Sequence, residues 1–220
     1  MKKQFVVIGL GRFGSTVLKT LLSLGNEVMG IDHNQRRVQE ISAIIPHVYQ
    51  ADSTDEGVLK QLGVQNMDHA IVAIGDDLQA SILTTLILKD LGVKTVTAKA
   101  TSEYHRRVLE RVGADRIVQP ERDTGIRVAH QITSQNTIEF LELSSDYSLV
   151  EVLAPASMTG KSLKELNIRA KYGCNVVAVR KQDGFVNVSP LAEDTISEGD
   201  MLVMIGTNKD IHRFEKGYSE

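Results

Sequence analysis

Between residues 5 and 132, short apolar and β-branched runs alternate with longer stretches whose apolar positions return every three or four residues. The first pattern suits strands buried in a sheet, and the second suits helices lying against it. The strand windows are 5–8, 27–31, 48–50, 70–74, 95–98 and 116–118, with helical windows at 16–24, 35–44, 57–62, 78–91 and 103–112. Such alternation predicts repeated βαβ units, and so an α/β fold: a Rossmann-like, doubly wound parallel sheet. Gly25, Gly63, Gly92 and Gly113 each follow a helical window, where a left-handed residue ends a helix.

Pro120 and Glu121 open another helical stretch to about 133, after which 136–146 turns polar and irregular. Beyond it, strand windows at 149–153, 175–180, 186–188 and 201–205 and helical windows at 162–166 and 210–215 predict a small α+β unit. The expected domains are 1–135, including the helix that starts at Pro120, and 136–220.

A chain of 220 residues, 42% hydrophobic, can bury one large core and a small one. With 25 basic against 28 acidic side chains it offers no general attraction for phosphate backbones, so a nucleic acid polymer is not an expected partner. The single cysteine, Cys174, fits a reducing compartment and reads as a small buried apolar residue. A strand begins within a few residues of the start, and no apolar run approaches the roughly 20 residues that span a bilayer. A cytoplasmic protein is expected, one that can dock on a membrane protein without crossing the membrane itself.

The chemistry concentrates at Gly9-Leu10-Gly11-Arg12-Phe13-Gly14, directly after the first strand and at the start of the first helix. In that context Gly9 permits the tight turn, Gly11 lets a pyrophosphate approach the backbone, and Gly14 lets helix and strand pack closely. Asp32 ends the second strand, where a carboxylate accepts the hydroxyls of an adenosine ribose. His33 and Asn34 follow it rather than an arginine, which disfavours a 2′-phosphate and hence NADP relative to NAD, ATP or ADP. Arg12 can fork onto phosphate oxygens, or it can be a solvated side chain of the first turn. Ligands of open parallel sheets lie beyond the carboxyl ends of the strands, which adds Asp52, Ser53, Ile74, Gly75 and Lys99, with Phe13 beside Arg12. Asp52, Ser53 and Asp76 qualify equally as helix caps.

A nicotinamide dehydrogenase also needs an acid or base beside the nicotinamide, and the sequence shows no such constellation. The six histidines are scattered, and Tyr104-His105 opens a helix, where exposed or capping roles are expected. A regulator that binds nucleotide without transforming it is the expectation. The alternatives are an NAD-dependent oxidoreductase, an NAD(H) redox sensor, and a repressor whose basic helix-turn-helix is not found.

Together the motif 7–14, Asp32, and Gly113-Ala114-Asp115-Arg116-Ile117-Val118-Gln119-Pro120-Glu121 resemble the RCK family, the regulators of conductance of K+ also called TrkA-N/TrkA-C domains. Ala170-Lys171-Tyr172-Gly173-Cys174 and Ile211-His212-Arg213-Phe214-Glu215 resemble its KtrA-type members. The resemblance implies a cytosolic gating subunit of a potassium uptake system. It would be a homo-oligomer, dimers assembled into an octameric ring, peripheral on the cytoplasmic face of the membrane beneath a KtrB-type subunit. It implies that ATP favours the conducting state and ADP the inactive one, with Arg12 on the phosphates and Asp32 on the ribose. Glu121 would help bind Mg2+ or another cation near the γ-phosphate, as hard cations take carboxylate oxygens. It further implies a cyclic di-AMP site in the second domain at Leu163, Ile168, Arg169, Asn175, Val176 and Pro190. There Arg169 can neutralise a phosphate, while the aliphatic positions suit core or dimer interface equally well.

Overall fold

The structure is a computed structural model that describes residues 3–133 and 137–218. Contacts divide the chain into two compact units, 1–121 and 122–220.

In the first unit, β1 (Gln4–Ile8), α1 (Arg12–Ser23), β2 (Glu27–Asp32), α2 (Gln35–Ser42), β3 (Val48–Gln50), α3 (Glu56–Gln61), β4 (His69–Val72), α4 (Leu78–Asp90), β5 (Thr95–Lys99), α5 (Glu103–Arg111) and β6 (Arg116–Val118) follow one another. All pairings are parallel among the described strands, in the order β3-β2-β1-β4-β5-β6, so the expected doubly wound sheet is present. The period of two puts Val6 and Ile8 of β1 in one core, with Leu59 of α3, Leu88 of α4 and Leu109 of α5. It puts Val7 in the other, with Leu18 of α1 and Ile41 of α2. Leu18, Leu59, Leu88 and Leu109 are fully buried, each contributing about 1.5–3 kcal/mol. Gly25, Gly63, Gly92 and Gly113 all have positive φ, as the helix-end reading requires.

The order reverses between β1 and β4. Chains leave that point in opposite directions and open a crevice at the carboxyl ends of the two strands, where ligands of such sheets bind. The strand window 70–74 ends early: β4 is His69–Val72, so Ala73, Ile74 and Gly75 form the loop facing the crevice.

A further helix, α6 (Pro120–Thr133), follows β6. Beyond it, β7 (Thr137–Glu142), β8 (Tyr147–Leu153), α7 (Leu163–Leu166), α8 (Ile168–Tyr172), β9 (Asn175–Arg180), β10 (Val186–Asn187), β11 (Met201–Thr207) and α9 (Asn208–Gly217) build an antiparallel sheet, β10-β9-β11-β8-β7, with helices. Its core gathers Val150, Val152, Leu202, Met204, Ile168, Cys174, Ile211 and Phe214. Strand β7 falls where the sequence reads as polar and irregular. It is an edge strand that buries Phe140 while Ile138 and Leu141 stay exposed, so its alternation is faint. Cys174 is buried as expected, and burial followed by the charge of Asp210 pushes its thiol up to about 11, leaving it inert near neutral pH.

Candidate functional site

The glycine turn is built as its spacing requires. Gly9 has φ +92°, a region L side chains rarely adopt, and a Cβ there would stand 2.9 Å from the Ala73 carbonyl carbon. A Cβ on Gly14 would stand 1.8 Å from the Gly9 oxygen, so no side chain fits between turn and helix. Gly11 is the N-cap of α1 and supplies no side-chain acceptor, and a Cβ there would meet nothing within 4 Å. The first N–H groups of α1 are thereby left to a ligand, at the positive end of the helix dipole.

Asp32, at the end of β2, is bonded directly to this turn. Its side chain is 1% exposed, accepting the Leu10 N–H at 2.6 Å on Oδ2 and the Asn34 N–H at 2.8 Å on Oδ1. A carboxylate offers about four acceptor positions, so each oxygen keeps one for a ribose hydroxyl. Turn and carboxylate line one cleft of about 710 Å³, with Arg12, Phe13, Ile74, Gly75, Lys99 and Glu121 on its walls. Arg12 is exposed and forms no ion pair with any described residue. A neighbouring recess of about 310 Å³ shares Gly9, Asp32 and Ile74 and adds Asp52 and Ser53.

On the same cleft wall, Lys99 Nζ donates to Glu121 Oε1 at 2.6 Å and lies 5.9 Å from the Phe13 ring centroid. The hydrogen bond from Lys99 holds the Glu121 carboxyl below the ordinary range. Asp52 and Ser53 have local employment: Asp52 Oδ1 accepts the Thr54 N–H at 2.9 Å, and the Ser53 and Thr84 hydroxyls share a bond of 2.8 Å that ties the β3–α3 loop to α4.

Two readings change. The tripeptide after Asp32 holds no arginine, yet Arg37, in the first turn of α2, brings Nη1 to 3.5 Å from Asp32 Oδ2 and Nη2 to 3.7 Å from Asp76 Oδ2. Asn34 caps α2 through bonds from the Arg36 and Arg37 N–H groups, and helical side chains lean toward the N-terminus, here toward the strand end. That capping signal could have found it. His105 is 2% exposed rather than a surface residue, unlike Tyr104 at 80%. Its Nδ1 accepts the Thr101 N–H at 3.3 Å, its buried Nε2 has no hydrogen-bond partner among the described residues, and desolvation lowers its pKa.

In the second unit a shallower cleft of about 370 Å³ brings together Leu163, Ile168, Arg169, Asn175, Val176 and Pro190. Ile168 and Leu163 belong to the core or its edge, while Arg169 and Asn175 are exposed. Asn167, at φ +47°, turns the chain from α7 into α8 and sets Ile168 inward.

Among the described residues no helix is long and apolar enough to cross a membrane, and no cluster of three or more His, Cys, Asp or Glu could hold a metal. The TrkA-N domain model matches residues 5–120 and the TrkA-C domain model residues 148–216. The chain is 53% identical to the Ktr system potassium uptake protein C of Bacillus subtilis (strain 168), over 98% of this chain and 97% of that protein. It is 46% identical to protein A of the same system and organism, over 97% and 96%. In fold it resembles the GsuK RCK domain, with a TM-score of 0.70 and 20% identity over 100% of this chain. It also resembles the GsuK channel bound to NAD, at 0.68 and 19% over 96%. The chain spans 48% and 38% of the length of those two solved chains. The expectation of a regulator rather than an enzyme agrees with relatives named for potassium uptake. The chain belongs to the TrkA-N/TrkA-C (RCK) family, with the Ktr-type potassium uptake proteins.

Proposed function

We propose that this chain is the nucleotide-sensing, cytoplasmic regulatory subunit of a membrane potassium uptake system, seated as a homo-oligomeric ring on a KtrB-type partner. One observation carries the reading: the buried Asp32 carboxylate, bonded to the glycine turn at Leu10, lines one cleft with that turn and the uncapped N-terminus of α1 at the sheet's switch point. The first domain, proposed as 1–135, binds ATP or ADP, with Asp32 on the ribose and Arg12 on the phosphates. NAD(H) is the competing ligand, since a related fold is described with NAD bound. Mg2+ or another cation would take Glu121 once a polyphosphate draws Lys99 to itself. The site holds too few carboxylates to bind the ion alone, so phosphate oxygens would supply further ligands.

The second domain, proposed as 136–220, would take cyclic di-AMP, with Arg169 on a phosphate and Leu163, Ile168 and Val176 as an apolar floor. Gating then requires that each nucleotide prefer one conformation of the ring, because a ligand bound equally by both shifts nothing. The test is potassium flux through the chain reconstituted with its membrane partner, with ATP, ADP or NADH added. Flux that differs between ATP and ADP is the expected result, and flux indifferent to all three refutes the proposal.

A further inference from the structure

Two buried side-chain polar atoms lack a hydrogen-bond partner among the described residues: Ser81 Oγ on α4 and His105 Nε2 on α5. The two helices pack side by side, and Lys89 of α4 lies against Gly113 at the end of α5. About two turns back along each helix, Ser81 and His105 stand level. On the other edge of the imidazole, the Thr101 N–H and hydroxyl both lie 3.3 Å from Nδ1. An Nδ1 that accepts the N–H carries no proton, so the ring is neutral with its proton on Nε2.

What Nδ1 holds is a piece of the nucleotide cleft. Lys99 ends β5, Thr101 stands in the loop that follows, and both lie against Gly75: a Cβ there would be 3.2 Å from Lys99 Nζ and 3.8 Å from the Thr101 methyl. Lys99 and Gly75 line the cleft. The loop is tied at Ala100, whose N–H reaches the Val118 carbonyl at 2.9 Å, and at Ser102, whose hydroxyl accepts the His105 N–H at 3.1 Å. Between them the tie is His105 Nδ1. Protonation turns that acceptor into a donor facing a donor. Burial lowers the His105 pKa and no neighbouring charge adds to it: α4 keeps Asp77 at its N-cap and Lys89 on Asp115, and on α5 Glu103 and Glu110 pair with Arg106.

Resting on the nucleotide reading of this cleft, we propose that His105 is a positioning residue: by accepting the Thr101 N–H it sets the β5–α5 loop, and with it Lys99, for a nucleotide phosphate. Nucleotide binding and protonation of His105 then oppose each other. The neutral ring is the binding form, so affinity is full above pH 6.5 and declines as pH falls through the lowered folded value, and bound ADP depresses that value further.

Calorimetric titration of the full chain with ADP between about pH 5 and 8 tests this, with a thermal melt of each variant. His105→Asn keeps an acceptor oxygen near the place of Nδ1 but does not titrate, and His105→Leu removes the acceptor. At the upper end of that range His105→Asn is expected to bind as the unsubstituted chain does, and His105→Leu about fivefold more weakly. At the lower end the unsubstituted chain falls about fivefold below His105→Asn. Protonation of the ADP phosphates and of His33, which lines the cleft, is common to both proteins and cancels in their ratio. A ratio constant across the range overturns the proposal, as does His105→Leu binding as tightly as His105→Asn. Should His105→Asn not fold, the His105 ring signal in the NMR spectrum of the unsubstituted chain decides: it must titrate at lower pH with ADP bound, and an unmoved titration overturns the proposal. Failure of the unsubstituted chain to bind ADP at any pH overturns the underlying nucleotide reading instead.

Discussion

The two clefts of this chain are made of different material. The first is defined by backbone: a glycine at φ +92°, a glycine whose Cβ would sit 1.8 Å from a carbonyl oxygen, and a carboxylate fixed by two main-chain N–H groups. The second is defined by side chains of ordinary type on two short helices and a strand, with its polar members, Arg169 and Asn175, exposed. The first should therefore fail abruptly when its geometry is disturbed, and the second gradually as individual contacts are removed.

Gly14→Ala gives the sharpest test. The clash with the Gly9 oxygen cannot be relieved by a flexible neighbour. A loss of about 3 kcal/mol or more of stability in the first unit and loss of nucleotide binding are expected, while cyclic di-AMP binding by the second unit survives. Thermal melts and titrations with both ligands check this. Loss of both together would erase the contrast between the clefts. Asp32→Asn is milder, since its amide can face the Leu10 or Asn34 N–H only with one acceptor oxygen. A destabilisation of about 1–3 kcal/mol and a tenfold or larger drop in ADP affinity are expected by melt and calorimetry.

The units should also differ in pH response. The folded pKa of His105 is lowered by burial, as is that of His69, where burial is the larger cause and the charge of Arg116 adds to it. The unfolded chain then binds more protons below about 6.5, so this stability is full above that pH and declines as pH falls toward the lowered folded values. In the second unit the Cys174 thiol rises from 9.0 to about 11, so its contribution, on the order of 2 kcal/mol, is present below pH 9 and lost as pH climbs through about 11. Hydrogen exchange resolved by unit should show the first loosening under acid and the second under alkali. Replacement of His105 by Leu should flatten the acid limb. The reverse order of loosening would contradict the burial argument.

The smallest effect belongs to Arg169→Gln, which removes an exposed charge. Cyclic di-AMP affinity should fall about tenfold while melting temperature and ADP affinity stay unchanged, as separate titrations will show.

The same difference in material governs how much could be read from sequence. The glycine spacing and Asp32 were legible because main-chain geometry restricts which residues can stand there, and the parallel sheet because its strands are apolar on both faces. Arg37 was missed because its approach to Asp32 depends on where α2 is capped. The burial of His105 was missed because an imidazole in a polar first turn, between exposed Tyr104 and the half-buried, charged Arg106, carries no apolar signal. Strand β7 escaped because an edge strand that buries Phe140 but leaves Ile138 and Leu141 exposed shows little alternation.

Gly11 has a consequence of its own. Its φ of -64° suits any residue and the space around its Cβ is empty, so nothing in the fold opposes a methyl group there. Under the proposed nucleotide reading, the opposition comes only from a phosphate approaching the first amides of α1. A variant library sorted by abundance or melting point would score the position as tolerant, and chains altered there would persist in the cell as well-folded copies deaf to nucleotide. Survival of the protein and survival of its signal are separate selections, and this glycine is where they part.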